Sequence, residues 1–216
     1  MAGRVSEASR DTASTSVAAG DITGVILAGG RGQRLGGADK GLALLAGRPL
    51  VEYAIAALAP QVGDLCISAN RNLERYAAYG YRVIPDSVAG YAGPLAGLLS
   101  AMDIASTPFV LCVPCDAPAV PADLGVRLHA ALVREHAALA VAHDGVRLQP
   151  LFALLRCALA PALRAYLEEG GREAGRFMRT QAAAIVDFSD QAQAFANINT
   201  PQALAALAQR LGHQGS

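Results

Sequence analysis

The stretch Ile22 to Lys40, ITGVILAGGRGQRLGGADK, decides the fold. Its apolar opening, Ile22 to Ala28, reads as a short buried strand. The run stops at Gly29-Gly30, and glycine recurs at 32, 36 and 37 among Arg31, Arg34 and Lys40. Glycine lets the backbone take positive φ and approach a ligand closely. Successive backbone N–H groups in such a loop can form an anion-binding concavity, and the three cations add charge beside it. A strand, a glycine loop and cations are together what a polyphosphate site needs. The common phosphate motifs do not fit. A P-loop requires Ser or Thr after its lysine, but Lys40 is followed by Gly41. A dinucleotide fingerprint begun at Gly30 would place Leu35 at its last glycine. A different phosphate loop is expected; the competing reading is a glycine-rich surface turn with incidental charge.

Outward from this stretch, strands and helices alternate. Strands are expected at 64–69, 81–84, 108–113, 137–142, 148–154 and 182–187. Helices are expected at 49–58, 72–79, 93–105, 121–135, 161–169 and 200–211. Pro49 suits a first helical position, and Thr200 with Pro201 suits N-cap and N1. The small residues Gly93, Ala96 and Gly97 allow close packing against a helix start. Such alternation implies an α/β fold with a mostly parallel sheet. A turn at Asp144-Gly145 suggests at least one antiparallel strand.

The 216 residues are 53% hydrophobic and 17% charged, which suits one domain with a full core. Eighteen basic residues balance eighteen acidic ones, so no net field attracts nucleic acid. No apolar stretch nears the roughly 18 residues that span a bilayer. Residues 1–20 lack the apolar core of a secretory signal and read as a disordered arm. Residues 21–211 form the expected domain, and 212–216 a flexible tail. Four cysteines, at 66, 112, 115 and 157, include a C-x-x-C at Cys112–Cys115. It sits in a strand-like run, with no second pair to complete a zinc site. Small buried side chains in a reducing cytoplasm are the expectation.

Polar residues fall at the carboxyl ends of four expected strands: the loop after Ala28, Ser68 with Asn70, Asp86, and Asp116. In open α/β sheets ligands bind outside those ends. Asp116 has the type and place of a ligand for a hard cation such as Mg²⁺. Asn197 and Asn199 share one side of an extended segment, and the Asn199 amide oxygen is a second candidate ligand. The four histidines show no ligand spacing. His129 and His136 read as surface residues of one helix, and His143 as a turn residue.

These residues resemble a known family, the molybdenum cofactor guanylyltransferases of molybdopterin-guanine dinucleotide biosynthesis. The resemblance rests on Leu27 to Gly30, Arg34 to Gly41, Ser68 to Arg71, Gly93 to Gly97, Pro114 to Pro118, Val186 to Asp190 and Asn197 to Pro201, in order. It implies a single-domain, three-layer, nucleotide-diphospho-sugar transferase-like (Rossmann-like) fold. It implies Mg²⁺-dependent transfer of GMP from GTP to the terminal phosphate of Mo-molybdopterin, with release of pyrophosphate. It also implies molybdenum-insertion proteins and molybdoenzyme chaperones as partners. Carried over, Leu27, Ala28, Gly29 and Gly30 border the nucleotide, and Lys40 meets its phosphates with Arg34 assisting. Ser68, Asn70 and Asp86 lie on the guanosine side, Asp116 binds Mg²⁺, and Asn197, Asn199 and Arg172 face the pterin. Two departures stand out: Ser68 where the family often has Asn, and Glu173 where a second basic residue is common. A cytidylyltransferase or a sugar-1-phosphate nucleotidyltransferase is the related alternative. A GTP-binding adaptor and a C-x-x-C redox protein are alternatives from other classes.

Overall fold

The computed structural model describes residues 17–28, 39–86 and 93–196. The expected helix at 200–211, the tail, and most of the N-terminal arm lie outside the described residues. Ala19–Asp21, where the arm meets the domain, forms a 3-10 turn.

Seven strands make one sheet: β1 (Ile22–Leu27), β4 (Asp64–Ser68), β5 (Arg82–Ile84), β6 (Phe109–Pro114), β7 (Leu139–His143), β8 (Leu148–Arg156) and β9 (Ala184–Asp187). Their order is β5-β4-β1-β6-β8-β7-β9. All pairings are parallel except the two made by β8, which runs antiparallel to β6 and β7. A separate ribbon pairs β2 (Leu44–Leu45) with β3 (Arg48–Pro49). The helices are α1 (Leu50–Leu58), α2 (Leu73–Ala77), α3 (Pro94–Ile104), α4 (Leu124–Arg134), α5 (Ala160–Glu168) and α6 (Ala174–Thr180).

Strand pleating sends alternate side chains to opposite faces. On β1, Ile22 and Ile26 pack with α1, α2 and α4, whereas Val25 and Leu27 pack with α3, α5 and α6. The central strands are therefore apolar on both sides, as a sheet covered on both faces requires. Fully burying each such aliphatic side chain is worth about 1.5–3 kcal/mol before entropy is counted.

The same pleat settles the C-x-x-C motif. Cys112 lies in the cluster under α3 and Cys115 in the cluster under α1 and α4. Three residues apart along extended chain, they face opposite sides, and all four cysteines are free. Burial pushes the Cys112 thiol up to about 12 and raises Cys115 as well. This is packing chemistry, as the sequence reading expects.

Three local expectations change. Pro49 does not open α1; its extended backbone (φ −56°, ψ 140°) closes the ribbon just before the helix. His129 is not a surface residue. It is 6% exposed, and its ring stands edge-on to Phe109 at 5.1 Å. Helix α6 was not expected from the sequence.

Candidate active site

Chain order reverses around β1. From β1 the chain moves outward through β4 to β5, then returns to lay β6 on the other flank of β1. Ligand crevices in open α/β sheets form at such reversals, outside the carboxyl ends of the strands. Here those ends are held level. Leu27 is in register with both Ser68 and Pro114, and Ser68 with Ile84. The ladder continues one residue further: Ala28 N–H donates to Ser68 O (2.8 Å), Cys115 N–H to Leu27 O (3.1 Å), and Ala69 N–H to Ile84 O (3.0 Å). Ala28, Asn70, Asp86 and Asp116 consequently emerge along one edge.

Lys40 comes to that edge from the far end of the glycine loop. It opens a 3-10 turn, Lys40–Leu42, whose N-cap is Asp39. Its Nζ donates to Asp116 Oδ2 at 3.2 Å, joining residues 76 positions apart. Asp116 is 8% exposed at the end of β6, so its charge is largely withdrawn from water. Lys40 is also the sole lysine of the chain; every other strong cation is arginine. Its compact ammonium binds phosphate as a point charge, unlike the planar guanidinium fork.

A second polar pair closes the ends of β4 and β5. Asn70 Nδ2 donates to Asp86 Oδ2 (2.8 Å), and Asp86 N–H donates back to Asn70 Oδ1 (2.9 Å). Burial raises the Asp86 carboxyl above its ordinary range, while the Asn70 bond opposes that rise.

Two further expected site residues make contacts within the fold. Ser68 is 1% exposed, and a Cβ on Gly97 of α3 would stand 2.2 Å from its hydroxyl. Ser68 is thus packed beneath the helix start, and Gly97 serves this contact with the sheet, whereas a Cβ at Gly93 would meet nothing within 4 Å. The Arg172 guanidinium donates to Leu167 O (2.9 Å) and Gly171 O (2.6 Å), capping the end of α5. Gly29, Gly30, Arg34, Asn197 and Asn199 lie outside the described residues. His143 is not a turn residue: it ends β7, paired with Leu148 and Asp187, and only its Nδ1 reaches the turn, accepting from Gly145 N–H at 3.1 Å.

The sequence reading gave no role to Asp39, Asn72 or Tyr76, which form a cluster behind Lys40. Tyr76 Oη donates to Asp39 Oδ1 at 2.5 Å, and Asn72 Nδ2 to Asp39 Oδ2 at 2.9 Å. The available signal was a carboxylate directly beside the one lysine. Among the described residues no group of three His, Cys, Asp or Glu side chains could cage a metal. No helix among them is long and apolar enough to cross a membrane.

Comparison with known proteins agrees with this architecture. The MobA-like NTP transferase domain matches residues 24–186. A molybdenum cofactor guanylyltransferase of Shewanella sediminis is 47% identical over 84% of this chain and 92% of its own. One of Pasteurella multocida is 50% identical over 82% and 94%. Among solved structures, molybdopterin-guanine dinucleotide biosynthesis protein A of Archaeoglobus fulgidus superposes with TM-score 0.71 at 20% identity, over 88% of this chain and 99% of that one. At that identity the likeness speaks for the fold. The two closer relatives speak for the family: the chain is a nucleotidyltransferase that belongs to the molybdenum cofactor guanylyltransferases.

Proposed function

We propose that this chain transfers GMP from GTP to the terminal phosphate of Mo-molybdopterin, forming the guanine dinucleotide and releasing pyrophosphate. The observation that carries the reading is the Lys40–Asp116 contact at the sheet edge, which sets a cation and a carboxylate side by side where a triphosphate would lie. In the reaction an oxygen of the pterin phosphate attacks the α-phosphorus of GTP. The bond from that phosphorus to the bridging oxygen breaks, and pyrophosphate leaves with the electron pair. The attacking phosphate is already largely ionised at neutral pH, since its second pKa is about 6. No general base is required, so histidine has no part in the chemistry.

The task left to the protein is positioning and charge neutralisation. Lys40 would hold the phosphates, with Arg34 and the amides of Gly29 and Gly30 completing the cradle. Leu27 and Ala28 would border the nucleotide. Asp86, steadied by Asn70, would accept from guanine N1–H and N2–H₂. Ser68 would support this edge from below without touching GTP. Asn197, Asn199 and Arg172 would face the pterin, Asn199 also being available to the metal.

Asp116 fits Mg²⁺. It is a carboxylate that already engages a cation, and it stands without a preformed acidic cage among the described residues. Magnesium is ordinarily held this way, by one or two carboxylates together with substrate phosphates and water. When bound, it would supply neutralisation of the phosphate charge. The reduced cysteines suit a cytoplasmic setting.

The test is pyrophosphate release from purified protein supplied with Mg²⁺, Mo-molybdopterin and either GTP or CTP. Release with GTP, far exceeding that with CTP, is expected. Faster turnover of CTP, or GTP binding with no transfer, would overturn the proposal.

A further inference from the structure

We propose that Tyr76 and Asn72 of the α2 region brace the Asp39 carboxylate and thereby set Lys40 against Asp116, which makes Tyr76 a positioning residue for GMP transfer. This rests on the reading of Lys40 given above.

Asp39 accepts more than a turn needs. As N-cap of the 3-10 turn it requires one donor, Gly41 N–H, which it has at 3.2 Å on Oδ1. Two further donors reach it from the segment after β4: Tyr76 Oη on Oδ1 at 2.5 Å and Asn72 Nδ2 on Oδ2 at 2.9 Å. Both oxygens of the residue preceding Lys40 are thereby tied to another part of the fold. The fit is close, since a Cβ at Gly41 would stand 2.5 Å from Tyr76 Oη, so the turn that carries Lys40 lies directly on the phenol. The Tyr76 ring is fully buried in the cluster that includes Cys115, the residue before Asp116. A Cβ at Gly41 would also stand 3.4 Å from Cys115 Sγ, so the turn that carries Lys40 is seated against both Tyr76 and the residue before Asp116.

Asn72 points the same way. Its backbone is left-handed (φ 51°), and at the N-cap of α2 its side chain makes no capping bond. Its amide is committed to Asp39 instead. Burial, followed by the bond to Asp39, raises the Tyr76 hydroxyl, so it remains a donor throughout the working pH range.

Tyr76→Phe keeps the buried ring and removes only the donor. Turnover is expected to fall about tenfold. The decisive readout is a double-mutant cycle with Lys40→Ala, measured both as turnover and as calorimetric affinity for Mg²⁺–GTP. If Tyr76 acts through Lys40, Tyr76→Phe changes either quantity by less than twofold once Lys40 is gone. The same tenfold loss in both backgrounds would mean a general packing effect and would overturn the brace. So would a loss below twofold in the presence of Lys40. Asn72→Gly is exposed, tolerates the left-handed backbone, and should repeat the pattern at about threefold; it carries the test should Tyr76→Phe not fold. Wild-type protein that fails to transfer GMP, or Lys40→Ala with full activity, would instead sink the functional reading beneath this one.

Discussion

Asp116→Asn keeps the size and shape of the side chain and removes its charge. At an effective dielectric of about 20, a unit pair at 3.2 Å gains about 5 kcal/mol before desolvation is subtracted. Desolvation cancels much of that, and Lys40 is a quarter exposed, so solvent screens the remainder. The net stability cost should therefore be only about 1 kcal/mol, lowering Tm by roughly 2–4 °C in a chain of this size. Catalysis should suffer more, because a preorganised electrostatic partner lost at a site of charge development costs about 3 kcal/mol, or ~10²-fold. The assay is the initial rate of pyrophosphate release at saturating GTP, beside a thermal melt of the same sample. A folded Asp116→Asn protein that transfers GMP within threefold of wild type would refute the reasoning.

Three further outcomes are expected. Asp86→Ala should raise the KM for GTP by tenfold or more, since a hydrogen bond to a charged group is worth about 1.5–3 kcal/mol. It should also erase the preference for GTP over ITP, which lacks the 2-amino group; comparison of the two KM values checks this. Gly97→Ala should destabilise the fold by about 1–3 kcal/mol through overpacking onto Ser68, and Ser68→Ala should relieve part of it while leaving the KM for GTP unchanged. His129 is held below its ordinary value of 6.5, first by burial and then by Arg156. Its contribution is thus fully present above that pH, begins to fall there, and is lost as pH drops through the lowered value of the folded state. Denaturant titrations from pH 7.5 to 5 should show this decline in wild type and a shallower one in His129→Leu.

The strands were legible wherever an apolar run ended in a polar cluster, as at Leu27, Ser68, Ile84 and Pro114. Sheet geometry then did what sequence could not show directly: it placed Lys40 and Asp116, 76 residues apart, in contact. Helix α6, AGRFMRT, was illegible because seven residues with two arginines and a glycine carry almost no apolar period. The ribbon β2–β3 is two residues long on each side, too short for any alternation to show. The burial of His129 was readable, since Gly125, Leu128, His129 and Leu132 follow the i, i+3, i+4, i+7 spacing of one helix face. Pairing it with His136 obscured this, because α4 ends at Arg134. Tyr76 reads in sequence as one more core aromatic. Only the folded chain, which sets its hydroxyl on Asp39, reveals what that group does.

The most direct measurement is a crystal structure with GTP and Mn²⁺ in place of Mg²⁺, the manganese located by its anomalous signal. The account predicts the metal peak on the Asp116 carboxylate, with the triphosphate beside Lys40 and the guanine at Asp86. A metal peak away from Asp116, or a triphosphate out of reach of Lys40, would contradict it.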